Sequence, residues 1–331
     1  MKSFGRFIVV AIVALWAVAP VRAADQHVKI SYVVPTVMYG DLLLGLDKGY
    51  FKEEGIDLEL VAAGGGAATP ALIAGDVQFS GSPAAAISAI LKGAKLKVLY
   101  ITSSNAAFQL WARNDIKSLA DLKDKPVGVI SRGDTTEIAM RYYLAKQGLS
   151  GDYVSYAPLG NGTARMAAIT SGAYPASLLD ALETAAFEAD GKMNGYHIIA
   201  DLHKDVRMTF SGIATSDALI KANPDLVLRV IRAAIKGIAY SKAYRDRAIA
   251  SVMKHGTADR KNAEADYAAF APELSLTGTM PADGQQMELE LRGQMLGLAK
   301  DKIAKPSDVF DFSFAEKAAT QLKSENWSPT Q

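Results

Sequence analysis

Residues 63–83 read AGGGAATPALIAGDVQFSGSP. Gly64, Gly65 and Gly66 lead into a short apolar run. Gly75 stops it, a strand-like 77–79 follows, and small residues close the stretch. A glycine loop between a strand and a helix leaves the backbone N–H groups of the helix N-terminus free to face a ligand. Nucleotide phosphate is not that ligand. A phosphate-cradling P-loop ends in a lysine, and none lies between 64 and 74. A dinucleotide fingerprint needs a third small residue where Thr69 stands, and an acidic residue after the next strand that is missing here. The loop is either an ordinary tight turn or a small-residue lip over which a ligand meets backbone.

Outward from that stretch the chain alternates between periods of two and 3.6. Residues 28–34 (VKISYVV) are β-branched and apolar, a strand. Residues 40–51 carry Leu42, Leu43, Leu46 and Phe51 at helical spacing, and Gly55 supplies the left-handed stop. Ile56, Leu58 and Leu60 alternate with Asp57 and Glu59, a half-buried strand. Helices over 70–74 and 83–92 and strands over 77–79 and 96–101 complete a β-α-β-α-β-α-β order, which implies a mainly parallel sheet with helices on both faces.

The punctuation then recurs. Gly148, Gly160 and Gly172 follow Gly55, Gly64 and Gly75 at intervals of 93, 96 and 97 residues. Strands at 127–130, 153–156 and 176–179 and helices at 134–147 and 164–170 fit between them, so two α/β lobes of similar plan stand in tandem. Extended segments near 108–111 and 208–210 flank the second lobe, where two chain crossings would form a hinge. Beyond 214 the pattern is helical. Asn223-Pro224-Asp225 is an N-cap with proline at the first position, followed by an apolar face of Leu226, Val227, Val230, Ile231, Ala234, Ile235 and Ile238. Further helices are expected over 264–270, 284–300 and 314–323.

The first 23 residues stand apart. Lys2 and Arg6 precede an apolar run over 7–19, Pro20 breaks it, and Val21-Arg22-Ala23 puts small or permissive residues at the expected cleavage positions. This is the pattern of a secretory signal peptide, cleaved near Ala23; the run is too short to span a bilayer. About 308 residues remain, enough for two domains. The chain has no cysteine, so stability rests on a core rather than disulfides. Removing the three basic residues Lys2, Arg6 and Arg22 turns the formal charge from +1 to −2, a balance that points away from nucleic acid.

Catalytic constellations are scarce. His27, His197, His203 and His255 show no metal-ligand spacing, and no G-x-S-x-G nucleophile elbow exists. Glu53, Glu54, Asp57 and Glu59 read as a solvated face. In Ser131-Arg132-Gly133-Asp134-Thr135-Thr136-Glu137, Asp134 and Glu137 make a capping box. The same loop could offer hydroxyls and N–H groups to a ligand, although its two carboxylates weaken the case for a strongly anionic one.

Residues 49–56 (GYFKEEGI), 71–77 (ALIAGDV) and 120–129 (ADLKDKPVGV), in this order behind the leader, resemble periplasmic solute-binding proteins of the nitrate, sulfonate and taurine type. That family also includes binders of thiamine-pyrimidine precursors. The resemblance covers nearly all of the chain beyond the leader. It implies a two-lobed periplasmic-binding-protein fold of type II, with mainly parallel sheets and two crossing hinge strands. Lobe 1 would take 24–110 together with the helical 210–331, and lobe 2 would take 111–209. It further implies a monomer, without cofactor or metal, that captures a small solute between closing lobes in the periplasm. The solute would pass to the permease and ATPase subunits of an ABC importer. Ligands of open α/β sheets sit at the C-terminal ends of strands. One lip would then carry Thr36, Met38, Tyr39, Gly65, Gly66, Ala67, Ser80, Gly81 and Ser82. The other would carry Ser131, Gly133, Asp134, Thr135, Thr136, Asn161 and Asp180.

Departures from the family's pattern leave the ligand open among sulfonate, taurine-like, carboxylate and pyrimidine classes. Gln78 and Pro175 replace the aspartate usual after G-x-V, and residues 35–39 lack the Asn or Trp of some members. Two alternatives remain: a ligand sensor for a membrane receptor, and an enzyme of the pyrimidine-synthesis type. The second uses a cysteine-rich iron motif, and this chain has no cysteine.

Overall fold

The computed structural model describes residues 25–330, apart from 64–65, 106–107, 181–182, 185–186, 189–190, 192–193 and 257. The expected leader and Gly65 lie outside the described residues. One sheet is built from β1 (Gln26–Tyr32), β2 (Ile56–Ala62), β3 (Phe79–Ser80), β4 (Leu96–Asn105) and β10 (Arg207–Ser216), in the order β2-β1-β3-β10-β4. The other holds β5 (Phe108–Arg113), β6 (Pro126–Val129), β7 (Ser155–Pro158), β8 (Ala176–Asp180) and β9 (Tyr196–Asp201), in the order β7-β6-β8-β5-β9.

The two sheets share one plan. The second strand in each order, β1 or β6, runs parallel to both neighbours. The fourth, β10 or β5, runs antiparallel to both. The sheets are therefore mixed, where the sequence predicts mainly parallel ones. The cause is the crossing. A strand reached through a helix on its own sheet returns parallel. Here the edge strand β4 leads into β5 of the other sheet, and the edge strand β9 leads back into β10. Such a strand enters from the opposite end. The crossings touch: Arg207 Nη1 donates to Asn105 Oδ1 at 2.5 Å, and the rings of Phe108 and Phe210 meet edge-on at 5.6 Å. No strand is expected at β9, whose apolar run spans only Ile198, Ile199 and Ala200.

The helix expected over 40–51 is two: α1 (Gly40–Asp47) and α2 (Tyr50–Glu53). Gly49 separates them at φ 75°, a conformation that ends a helix and that glycine adopts without strain. The stretch 63–83 contains α3 (Ala68–Ala74) and β3, and β3 feeds α4 (Pro83–Leu91). In the second sheet, α5 (Thr135–Lys146) follows β6 and α6 (Gly162–Thr170) follows β7.

α7 (Pro224–Ala243) buries the face that the sequence marks, with Leu226, Val230 and Ile231 against α1 and the first sheet and Ile238 in a separate cluster with Val37, Ile249 and Phe270. Each fully buried side chain of this size contributes about 1.5–3 kcal/mol. The crossing of α1 and α7 is close, since a Cβ on Gly237 would lie 2.6 Å from the Asp41 carbonyl oxygen. The same packing corrects one expectation. Glu54 is not on a solvated face: its carboxylate holds Lys236 Nζ at 2.7 Å and Arg232 Nε at 3.0 Å, both from α7. Asp57 and Glu59 are exposed and take His27 between them.

The chain ends with α8 (Arg245–His255), α9 (Arg260–Phe270), α10 (Ala282–Met295) and α11 (Ser313–Ser324). α10 touches both halves. Leu291 joins the second sheet's core and Leu289 the first's. Glu288 accepts from Thr209 N at 2.9 Å and Oγ1 at 2.7 Å, and pairs with Arg292, whose Nη1 reaches Ser88 Oγ on α4 at 3.2 Å.

Candidate functional site

The C-terminal ends of β1 and β3 form one surface. Ser31 pairs with Ser80 in the sheet, and Gly81 N donates to the Ser31 carbonyl at 2.7 Å. Gly81 has to be glycine here, because a Cβ would lie 2.9 Å from both that carbonyl and the Tyr39 ring. Tyr39 is buried, edge-on to Tyr32 at 5.9 Å, and burial pushes its phenol up to about 12. Met38 packs its side chain with Val37 and Phe270, and its carbonyl accepts from Ser211 Oγ at 3.4 Å. Ser80 Oγ accepts from Ser82 N at 3.2 Å. Gly66 and Ala67 are exposed, and the Cβ direction of Gly66 is open, so no packing demands a glycine there.

Hydrogen-bond accounting singles this surface out. Among the described residues, seven buried side-chain oxygens have no partner within hydrogen-bond distance, and those of Ser31, Thr36, Ser82 and Asp266 lie at this one lip, with Ser82 Oγ facing the Tyr39 phenol and pulling it back against burial. An unsatisfied buried polar group costs about 1–3 kcal/mol, so a cluster of four calls for an explanation. Asp266, on α9, reaches the lip from far along the chain. Its Oδ2 accepts from Val37 N at 2.7 Å, leaving Oδ1 unpartnered. Burial and the charge of Asp180 push its carboxyl up to about 6. Asp180 ends β8 in the second sheet, so the two halves approach each other here.

The second group of candidates is mostly occupied with its own loops. Asp134 Oδ1 accepts from Glu137 N at 3.2 Å and from Thr136 Oγ1 at 2.7 Å, and Ile130 N donates to that hydroxyl at 2.9 Å. Glu137 Oε2 accepts from Gly133 N at 2.8 Å. This is the expected capping box, with its return bond one residue earlier than usual. Burial raises the Asp134 carboxyl above its ordinary range. Thr135 is half-buried, and Ser131 and Gly133 are exposed. Asn161 caps α6 through Ala164 N at 3.0 Å, and Asp180 Oδ1 accepts from Glu183 N at 2.8 Å.

Three residues at these lips escape sequence reasoning. Arg165 is fully buried; it donates to the Leu178 carbonyl at 2.9 Å and the Gly160 carbonyl at 2.5 Å, and pairs with Glu183. Glu183 also accepts from Asp180 N at 3.0 Å, so one ion pair fixes the loops after β7 and β8 to each other. The third is Asp266. Its signal is an acid inside the apolar stripe Ala263-Asp266-Tyr267-Phe270, at i, i+3, i+4 and i+7.

A cavity of about 500 Å³ lies beside α5 and α10, lined by Arg132, Glu137, Arg141 and Arg292, and of the candidate residues it touches Gly133 alone. Its guanidiniums are engaged: Arg141 with Glu137 at 2.8 Å, Arg292 with Glu288 at 2.7 Å, and Arg132 with Glu137 at 3.4 Å. Among the described residues no group of three ligands could hold a metal ion. Ser251 and His255 both bond Asp47, at 2.6 and 2.9 Å, which makes a shared acceptor rather than a Ser–His–Asp relay. The lips offer hydroxyls, carboxylates and backbone, a set suited to holding a small molecule.

No helix among the described residues is long and apolar enough to cross a membrane. A comparison with curated proteins finds no match. Solved structures are similar in fold. A putative periplasmic sulfonate-binding protein from Methylobacillus flagellatus KT superposes with a TM-score of 0.74 at 17% identity, over 93% of this chain and 98% of that one. The alkanesulfonate-binding protein SsuA from Xanthomonas axonopodis pv. citri, bound to MOPS, gives 0.67 at 18% identity, over 87% and 100%. The periplasmic nitrate-binding protein NrtA from Synechocystis PCC 6803 gives 0.70 at 12% identity, over 93% and 92%. The two mixed sheets with helices around them are thus the periplasmic-binding-protein fold. Residues 39–248 match the family described as NMT1/THI5 like, and the chain belongs to that family.

Proposed function

We propose that the protein is an extracytoplasmic solute-binding protein: it captures a small organic solute between two lobes and delivers it, unchanged, to the permease and ATPase of an ABC importer. The observation that carries this is the cluster of unpartnered oxygens of Ser31, Thr36, Ser82 and Asp266 at the ends of β1 and β3. A bound solute would supply their missing partners. Family membership and the sulfonate- and nitrate-binding proteins of like fold support the same reading. The lobes would be 24–110 with 210–331, and 111–209, closing about the paired crossings at Asn105 and Arg207. Ser131, Gly133, Thr135, Asn161 and Asp180 would meet the solute from the second lobe. The leader over 1–23 would direct the chain across the inner membrane.

A thermal-shift screen of the chain lacking residues 1–23 tests this, with sulfonates, taurine, nitrate, carboxylates, pyrimidines and amino acids. A compound that binds the native state raises the melting temperature with its concentration, by about 2.7 kcal/mol of stabilisation at a hundredfold excess over Kd. The expected result is such a rise with one class, and recovery of that compound intact. A flat response to every class, or conversion of the compound, contradicts the proposal.

A further inference from the structure

We propose that the solute carries a cationic or amino nitrogen, and that Asp266 receives it at the first lip. The inference rests on the solute-binding reading and concerns the chemistry of the same site. Asp266 is 3% exposed, its Oδ2 is committed to Val37 N at 2.7 Å, and its Oδ1 has no partner. Thr36, the residue before Val37, has a buried hydroxyl oxygen without a partner as well. An ionised carboxylate accepts hydrogen bonds and donates none, so the group that satisfies Oδ1 has to be a donor. The Thr36 hydroxyl can then accept from the same nitrogen or donate to a neighbouring atom.

Charge points the same way. The other half of the molecule presents Asp180, close enough for its charge to act on the Asp266 carboxyl. A sulfonate, nitrate or carboxylate placed between these acids would meet two charges of its own sign, whereas an ammonium or protonated amidine would be attracted by both. The attraction involves one residue from each half, so it would grow as the lobes close and favour the closed state. Two carboxylates and a hydroxyl are too few to hold a bare divalent ion, and no larger ligand group stands among the described residues. Asp266 also lies beyond residues 39–248, the part that matches the family.

Calorimetric titration with matched pairs tests the inference on the unaltered protein: taurine against isethionate, β-alanine against propionate, and aminomethylpyrimidine against hydroxymethylpyrimidine. In at least one pair the amino member is expected to bind about tenfold more tightly or better, the effect of one hydrogen bond to a charged group. Asp266→Asn keeps an oxygen for Val37 N and removes the charge, and is expected to weaken the amino member about tenfold more than its amine-free partner, so that the preference is lost. Equal or tighter binding of the amine-free members overturns the inference and leaves the solute-binding reading standing. Failure of every compound to bind contradicts both.

Discussion

Replacing Arg165 with methionine is expected to destabilise the second lobe by about 3–5 kcal/mol, the loss seen when one partner of a buried ion pair is removed. Methionine keeps the length and the apolar stem. It leaves the Glu183 carboxylate without its cation and the Leu178 and Gly160 carbonyls without their donors. Glu183 would still be pressed over Gly162, where no side chain could fit. The loss should stay local, because these contacts all lie in the second half. Trp111 reports on that half: it is buried and packs edge-on against Phe187 at 5.3 Å. Trp327 packs on Tyr50 in the first half, at 5.6 Å. In a Trp327→Phe background lacking residues 1–23, Trp111 emission should show the urea midpoint of Arg165→Met falling well below that of its parent. A difference under about 1 kcal/mol, the size of an exposed pair, would mean that Arg165 does not organise the lip.

Stability should fall as the pH rises from about 5 to 8. Asp41 sits in the first turn of α1, 1% exposed, with Thr102 Oγ1 donating to it at 2.6 Å and Leu42 N at 2.9 Å. Among the described residues no cation pairs with it. Burial pushes its carboxyl from 3.8 to about 7, although those two bonds pull it back. The folded state therefore holds a proton that the unfolded state has released. Between about pH 4 and 7 folding takes up that proton, so the stabilisation is lost as the pH rises through the folded value. Asp266, pushed up to about 6, acts in the same direction. Asp47 acts oppositely: the Lys254, Ser251 and His255 bonds outweigh its burial and hold its carboxyl below the usual range. Its contribution is lost only as the pH falls below about 4, outside this window. Asp41→Asn keeps an acceptor for Leu42 N, can donate its amide to Thr102 Oγ1 instead of accepting from it, and cannot ionise. At pH 8 it should be more stable than the parent by on the order of 2–4 kcal/mol, and the difference should shrink to on the order of 1–2 kcal/mol at pH 5, because it accumulates from about pH 4 upward. Denaturant melts at the two pH values decide this. A parent that is more stable at pH 8, or a variant that keeps the parent's slope, contradicts it.

Local chemistry made much of the fold legible. The glycines that end α2, α3 and α5 and the apolar face of α7 are features of neighbouring residues, and so is the cap of Asp134 on α5. The direction of β5 and β10 is not local. It depends on which sheet the chain last visited, and extended segments at 108–111 and 208–210 look the same either way. The site divides similarly. Thr36, Ser82 and Asp180 follow from where strands end. The bond from Val37 to Asp266 joins residues 229 apart, and only the packing of α9 against the β1 loop brings them together. Arg165 resembles any basic residue on a helix until its three partners are in place. Conversely, Asp134, Thr136 and Asn161 have residue types suited to a ligand, but the structure shows their side chains bonded within their own loops. Tyr39 owes its position to the core as much as to the lip.

The most direct measurement is a crystal structure of the protein with the compound that raises its melting temperature most. That compound should lie between the two sheets, with polar atoms within hydrogen-bond distance of Thr36 Oγ1, Ser82 Oγ and Asp266 Oδ1, and with Asp180 across from it. A compound bound instead in the 500 Å³ cavity beside Arg132 and Arg292, with those three oxygens still unpartnered, would contradict it.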